Sequence, residues 1–279
     1  MSIEIVTVSS SDISQGLAEE IGVTVIPHEI AFGSKAYQDG IDMLSDEFYE
    51  RIKESPEFPT TSAVTSGPFA QTYNKLAEKT DQILCIVLSS KLSVTYSEAV
   101  RAIEAIKKKG VRVEVLETLS VAGGVGLLVM EAAKAVKAGE KLDNIVTMLK
   151  KDIPNCYVRI CVDTLKYLHK GGRIGKVQAL MGSLLNVKPI LEARGEFHPV
   201  GRVRSHAKVL EHIYDYVGSF KNIKSLAIQY TDNKPSVEAL ADRVSTFFPR
   251  DKIHIWPLTP VCGAHAGPGS IVTSIIGDV

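Results

Sequence analysis

The sequence predicts an α/β fold organised around a parallel sheet and divided into two domains. Three observations carry that expectation. Apolar runs of strand length alternate with segments of helical periodicity along the chain, the pattern of βα units. One run, Gln82 to Leu88, is continuously apolar after its first residue, as a central parallel strand covered on both faces should be. A charged helical stretch over Lys137 to Ile153 then ends at Pro154, and a strand pattern restarts at Tyr157. This sets the domains at residues 1–155 and 156–279, and 279 residues suffice for two cores.

Taken in order, Ile3 to Val8 reads as the first strand, and Ser9-Ser10-Ser11-Asp12 as the cap of a short helix near Gln15 to Ile21. Val23 to Ile26 and Glu29 to Phe32 are further extended pieces, and Ser45-Asp46-Glu47 opens a helix through Phe48, Tyr49 and Ile52. Pro59 to Phe69 carries five hydroxyl side chains in eleven residues, bracketed by prolines. Ser and Thr compete locally for backbone partners, so this stretch is expected in a loop rather than inside a strand or helix. Phe69, Tyr73 and Leu76 follow at helical spacing, which makes Ser66 the N-cap of a helix running to about Lys79. Hydroxyls at a helix N-terminus form a cradle for an anion.

A second hydroxyl-rich junction, Ser89 to Tyr96, follows the central strand and leads into a helix from about Ser93 to Lys108, with Ala99, Ile103 and Ile106 on one face. Val111 to Leu116 is the next strand and Val121 to Val136 the next helix. Both hydroxyl clusters fall near the carboxyl edge of the sheet, where ligands of such folds sit. Beyond the boundary come a strand (Tyr157 to Val162), a short helix capped by Thr164 and stopped at Gly171-Gly172, and an apolar helix from Gln178 to Leu185. Val187 to Ala193 and Phe197 to Val203 flank Arg194-Gly195-Glu196 as a hairpin. A helix (Ala207 to Phe220), a strand (Ser225 to Gln229), a helix (Ser236 to Phe248) and a strand (Lys252 to Pro257) follow. Cys262 to Gly269 reads as a small-residue loop before the last strand, Ser270 to Ile276.

Composition narrows the function. The 32 basic residues balance the 32 acidic ones, which argues against non-specific nucleic-acid binding. No apolar run reaches the length of a membrane span, and the N-terminus lacks the basic region of a secretory signal. Cys85, Cys156, Cys161 and Cys262 lack the close spacing of a zinc or redox site. A cytoplasmic location is expected. The seven histidines show no metal-ligand spacing, so no metal is expected. Gly123-Gly124-Val125-Gly126 departs from the dinucleotide fingerprint, and close helix packing accounts for those glycines better. His265 stands out as the one large group among Gly, Ala and Pro, either approaching a ligand or bonded to a neighbouring carbonyl. Paired with Ser93 it suggests a nucleophile and base, although Ser93 lacks the G-x-S-x-G elbow.

Together these loops resemble the DegV family of bacterial fatty-acid-binding proteins. The matching residues are Pro59-Thr60-Thr61-Ser62 with Phe69, Leu92-Ser93 with Thr95-Tyr96, and Thr164-Leu165 with Tyr167-Leu168 and Lys170-Gly171-Gly172-Arg173-Ile174. Lys188-Pro189-Ile190-Leu191 and Gly263-Ala264-His265-Ala266-Gly267-Pro268-Gly269 complete the set, which spans the chain. The resemblance implies a three-layer parallel α/β domain followed by a two-layer α/β domain with a mixed sheet. It further implies a long-chain fatty acid bound within and between them and presented to a separate kinase subunit, which makes the acyl phosphate. By position, Thr61, Ser62, Ser93 and His265 would hold the carboxylate, and Arg173 and Arg204 match arginines near the site and its entrance. Arg202 and Arg204 flank Val203, which places both guanidinium groups on one face, suited to an acidic partner or transient contact with an anionic membrane surface.

Three positions depart from the family pattern. Val8-Ser9 stands where an Asp-Ser pair is usual, Val94 where glycine often precedes the threonine, and Glu117-Thr118 where Asp-Ser is common. Val94 is expected to narrow the space beside Ser93. Leu180, Met181, Leu184, Leu185, Ile190 and Phe197 are candidates for the tail tunnel. Two functions therefore stand: a fatty-acid carrier without chemistry of its own, and a small acyl hydrolase or transferase using Ser93 and His265.

Overall fold

The computed structural model describes residues 3–181 and 187–279. In chain order the elements are β1 (Ile3–Val8), α1 (Gln15–Ile21), β2 (Val23–Ile26), β3 (Glu29–Phe32), β4 (Lys35–Gln38), α2 (Ser45–Glu54), β5 (Thr60–Ser62), α3 (Ser66–Ala77), β6 (Gln82–Val87), α4 (Thr95–Arg101), β7 (Arg112–Glu117), α5 (Gly123–Lys137) and α6 (Leu142–Asp152). They continue as β8 (Cys156–Cys161), α7 (Lys166–Lys170), β9 (Lys188–Arg194), β10 (Glu196–Val203), α8 (His206–Gly218), β11 (Asn222–Tyr230), α9 (Lys234–Val244), β12 (Ile253–Pro257), α10 (Pro260–Ala266) and β13 (Ile271–Asp278).

The described residues form three sheets. The first is parallel throughout, in the order β2-β1-β6-β7, with β1 and β6 as its buried centre. The second is mixed, in the order β10-β9-β8-β13-β11-β12; only β11 and β12 run parallel. The third is a small antiparallel sheet, β4-β3-β5. The fold is thus the expected one, a three-layer parallel α/β arrangement joined to a two-layer one with a mixed sheet.

Helix α5 joins the two large sheets. It packs on β1 and β6 on one side and on β8, β11 and β13 on the other, so its first eleven residues are all buried. The expected packing role of its glycines is what the structure shows. A methyl on Gly126 would lie 2.5 Å from the Ser11 carbonyl oxygen, and one on Gly124 would lie 2.2 Å from Ser120 Oγ and 2.5 Å from Val158 Cγ2. Strand β13 is buried on both faces and divides two cores by alternation. Ile271 and Ile275 meet the apolar faces of α8 and α9, whereas Val272 and Ile276 face the opposite way.

Several local expectations change. Thr60–Ser62 is not loop but the edge strand β5; its exposed, half-buried, exposed pattern suits β-branched threonine at a sheet rim. Strand β4 had no signal strong enough to be expected. Ser14, not the Ser9–Asp12 run, caps α1, accepting from the Leu17 N–H at 3.3 Å. Ser9 to Ser11 form a buried 3₁₀ turn instead, closed by Asp12 at φ 58°. The helix after the second hydroxyl cluster is shorter than expected, Thr95–Arg101 with a 3₁₀ turn over Ala102–Ala105, because the Lys107 N–H is taken by Asn74 Oδ1 at 2.9 Å. Pro260–Ala266 is a helix rather than a loop, started by its proline and thin enough at Gly263 that a methyl there would sit 2.3 Å from Tyr49 Oη. Of the expected helix from Gln178 to Leu185, Gln178 to Leu180 lie in a 3₁₀ turn. Leu184 and Leu185 fall outside the described residues.

Candidate functional site

The carboxyl ends of β1 and β6, the turn before α5, strand β5 and helix α10 converge over one face of the mixed sheet. Between them lies a cavity of about 760 Å³, part of it open to solvent. Its walls are apolar over most of their extent: Ile160, Val162, Leu168, Phe197, Leu258 and Val272 are all buried lining residues. Its polar lining includes Thr61, Ser62, Ser93, Arg173 and His265, so five of the six expected site residues line this cavity.

Thr61 Oγ1 lies 2.9 Å from His265 Nε2. The pair joins the middle of β5 to the end of α10 across 204 residues of chain. The other ring nitrogen, Nδ1, is buried without a partner among the described residues and faces Gly171, where a methyl would come within 2.2 Å of it. Burial, reinforced by the Arg173 guanidinium, pushes the His265 pKa down to about 4, so the ring is neutral near pH 7. Ser93 Oγ lies 2.8 Å from Thr95 Oγ1, at the start of α4. Arg173 donates through Nε to the Leu92 carbonyl at 3.2 Å and through Nη1 to the Gly171 carbonyl at 2.7 Å. No carboxylate neutralises Arg173 among the described residues. A cation that lines an apolar cavity and bonds only carbonyls favours an anionic guest.

Other expected features lie elsewhere. The anion cradle at the N-terminus of α3 is filled from within: Thr65 precedes the helix without a side-chain cap, and the Ser66 N–H donates to Glu98 Oε2 at 2.8 Å. Val94 is 60 % exposed and does not line the cavity, so it does not narrow the space beside Ser93. Glu117 accepts the Ser90 N–H at 2.7 Å and thereby holds the loop after β6. Among the tunnel candidates, Phe197 lines the cavity, but Ile190 belongs to the core under α8 and α9, and Met181 is 41 % exposed. Arg202 and Arg204 are exposed, away from the cavity lining.

Sequence reasoning missed a buried polar cluster behind the cavity. Asp12 accepts from the Thr259 N–H (3.0 Å), the Thr259 hydroxyl (2.8 Å) and Gln229 Nε2 (3.0 Å). Asp39 accepts the Val261 N–H at 3.4 Å. Burial pushes Asp12 up to about 6 and Asp39, with Asp12 close by, up to about 7. Asp12 thus ties the start of α10 to the turn after β1, Asp39 ties it to the end of β4, and together they fix where His265 stands. His28 and Ser10 also line the cavity and were not expected there. The only hint was the density of Ser and Asp at Ser9–Asp12, which read equally well as a helix cap. Among the described residues no group of three or more His, Cys, Asp or Glu is placed to hold a metal ion.

Comparison with known proteins adds independent findings. A family model described as "Uncharacterised protein, DegV family" matches residues 2–278. A DegV domain-containing protein of Deinococcus radiodurans is 34 % identical over 276 residues, covering 97 % of both chains. A DegV family protein from Thermus thermophilus, whose structure is described for its fatty acid binding, superposes with a TM-score of 0.90 at 31 % identity, over 99 % of this chain and 100 % of that one. DegV of Bacillus subtilis, a fatty acid binding protein, superposes with a TM-score of 0.87 at 25 % identity, with full coverage of both chains (100 % each).

Proposed function

The chain belongs to the DegV family, and from that premise we propose that it binds one long-chain fatty acid and presents the carboxylate to a separate kinase subunit for acyl-phosphate formation. The observation that carries this is the division of the cavity into apolar walls and a polar set holding an unneutralised arginine. In this arrangement Thr61, Ser62, Ser93 and Arg173 receive the carboxylate, and His265 acts on it through Thr61. About fifteen methylenes at ~0.8 kcal/mol each give roughly 12 kcal/mol of gross burial energy. Hydrogen bonds to the carboxylate mostly offset its desolvation. Affinity therefore comes from the tail, and position from the head. Arg202 and Arg204, exposed and away from the cavity, suit contact with an acidic kinase surface or an anionic membrane.

The geometry disfavours an acyl hydrolase or transferase. Ser93 is bonded to Thr95 and His265 to Thr61, so the nucleophile–base pair that such chemistry needs is not formed. A histidine held near pKa 4 beside an arginine is also a poor general base at neutral pH. The strained turn that opens α5, with Ala122 at φ 55° and ψ −139°, has the strand-to-helix character of a nucleophile elbow but carries a methyl group. The test is mass spectrometry, under denaturing conditions, of protein purified from cells. One long-chain fatty acid per chain is expected. Protein that yields no lipid and takes up no added oleate overturns the proposal.

A further inference from the structure

We propose that His28 is a further headgroup residue, donating a hydrogen bond from Nε2 to the carboxylate of the bound acid; this rests on the fatty-acid reading above. The placement comes from the small sheet. Ile30 stands opposite Thr61 in the β3–β5 pairing. The Asp39 N–H donates to the His28 carbonyl at 2.9 Å, one step beyond the Glu29–Gln38 pair, so the β3–β4 ladder continues through His28. By alternation His28 then projects to the same side as Ile30 and Thr61. Its ring is buried (4 % exposed), and it lines the same cavity as Thr61, Ser62 and Ser93.

The ring nitrogens distinguish it from His265. In His28, Nδ1 lies 3.1 Å from Ser9 Oγ, and Nε2 has no hydrogen-bond partner among the described residues. In His265 the roles are reversed: Nε2 is bonded to Thr61, and the free Nδ1 is sealed against Gly171. Of the two imidazoles lining the cavity, His28 is the one with its Nε2 left for a guest. Ser9 Oγ also accepts the His28 backbone N–H at 3.0 Å and keeps one lone pair and one proton, so it can partner Nδ1 in either tautomer. The tautomer that serves an anionic guest is the one with the proton on Nε2. The opposite tautomer would turn a lone pair toward the cavity and repel a carboxylate, so binding an anion selects the donor form. Burial, with His265 nearby, pushes the His28 pKa down to about 4, so this donor is offered without a second buried charge.

The test uses delipidated full-length protein with oleate and oleyl alcohol as probes, read by titration calorimetry. His28→Asn keeps an amide within reach of Ser9 but removes the group at Nε2. Oleate affinity should fall roughly 10- to 150-fold, the weight of one hydrogen bond to a charged group. The alcohol makes only a neutral bond, so the oleate-to-alcohol affinity ratio should fall about tenfold. Unchanged oleate affinity, or equal weakening of both probes, overturns the assignment of His28 while leaving the fatty-acid reading intact. Parent protein that binds no oleate overturns both. A second measurement does not depend on a variant folding: the ¹⁵N spectrum of the His28 ring in the oleate complex. Nε2 protonation supports the proposal, and Nδ1 protonation overturns it.

Discussion

Thr61 and His265 should behave as one unit, and a double-mutant cycle can measure it. Thr61→Val removes the hydroxyl at nearly constant shape. If that hydroxyl donates to the carboxylate, its loss costs ~1.5–3 kcal/mol of binding, about 10- to 150-fold in oleate affinity. With the imidazole present, the hydroxyl can donate outward only if His265 Nε2, 2.9 Å away, donates to it. His265→Ala therefore frees the Thr61 rotor and should cost ~0.5–1.5 kcal/mol, the worth of an ordinary hydrogen bond. In the double variant nothing remains for His265 to orient, so oleate affinity should match that of Thr61→Val alone. The coupling energy would then be ~0.5–1.5 kcal/mol. Calorimetric titration of the four delipidated proteins gives the numbers, with urea unfolding to show that each is folded. Losses that add to within ~0.5 kcal/mol would mean that His265 meets the ligand independently of Thr61, and the reasoning fails.

Gly126→Ala should lower stability by ~1–3 kcal/mol in urea titrations, although alanine is the better helix former, because its methyl would meet the Ser11 carbonyl at 2.5 Å; an unchanged or higher midpoint would contradict the sandwiched position of α5. Asp39→Asn should raise stability at pH 8 and leave it little changed at pH 3.5. The folded pKa, about 7, lies above the ordinary 3.8, so the native carboxyl destabilises the fold as pH rises through that window, and the amide lacks this penalty. The parent itself should show a shallow pH dependence near pH 5. There His28 and His265, both held down near 4, lose stability on acidification, while Asp12 and Asp39 regain it. A urea midpoint of Asp39→Asn equal to the parent's at pH 8 would refute the assignment.

The parallel sheet was legible because its signals are local, whereas the mixed sheet was expected only from the family resemblance. Gln82 to Leu88 has the length and continuous apolarity of a buried strand, and the strand and helix runs before and after it point to a parallel sheet without any knowledge of contacts. The glycines at the start of α5 were also legible, because their spacing failed the nucleotide pattern and left packing as the remaining cause. Strand β5 was misjudged because three residues at a sheet rim are decided by their partner β3 and not by their own propensity. Ser66 was misjudged as a cap because the group that satisfies its N–H, Glu98, lies 32 residues further on.

The polar site follows the same rule more severely. Its head end depends on pairs that are remote in sequence: Thr61 with His265 across 204 residues, Thr259 with Asp12 across 247, Ser9 with His28 across 19. A hydroxyl or imidazole reveals its chemistry in sequence, but whether it bonds a neighbour or faces a cavity depends on what tertiary structure brings beside it. The edge rule for parallel sheets anticipates Ser93, which follows β6, at the cavity, but Thr61 and Ser62 reach it from β5, a strand of another sheet. It says nothing of α10, which arrives from the far end of the chain and is held there by Asp12 through Thr259 and by Asp39 through Val261. Those two buried carboxyls are therefore part of how the site is built. They act at a distance from the ligand, by fixing the helix whose histidine sets the Thr61 hydroxyl.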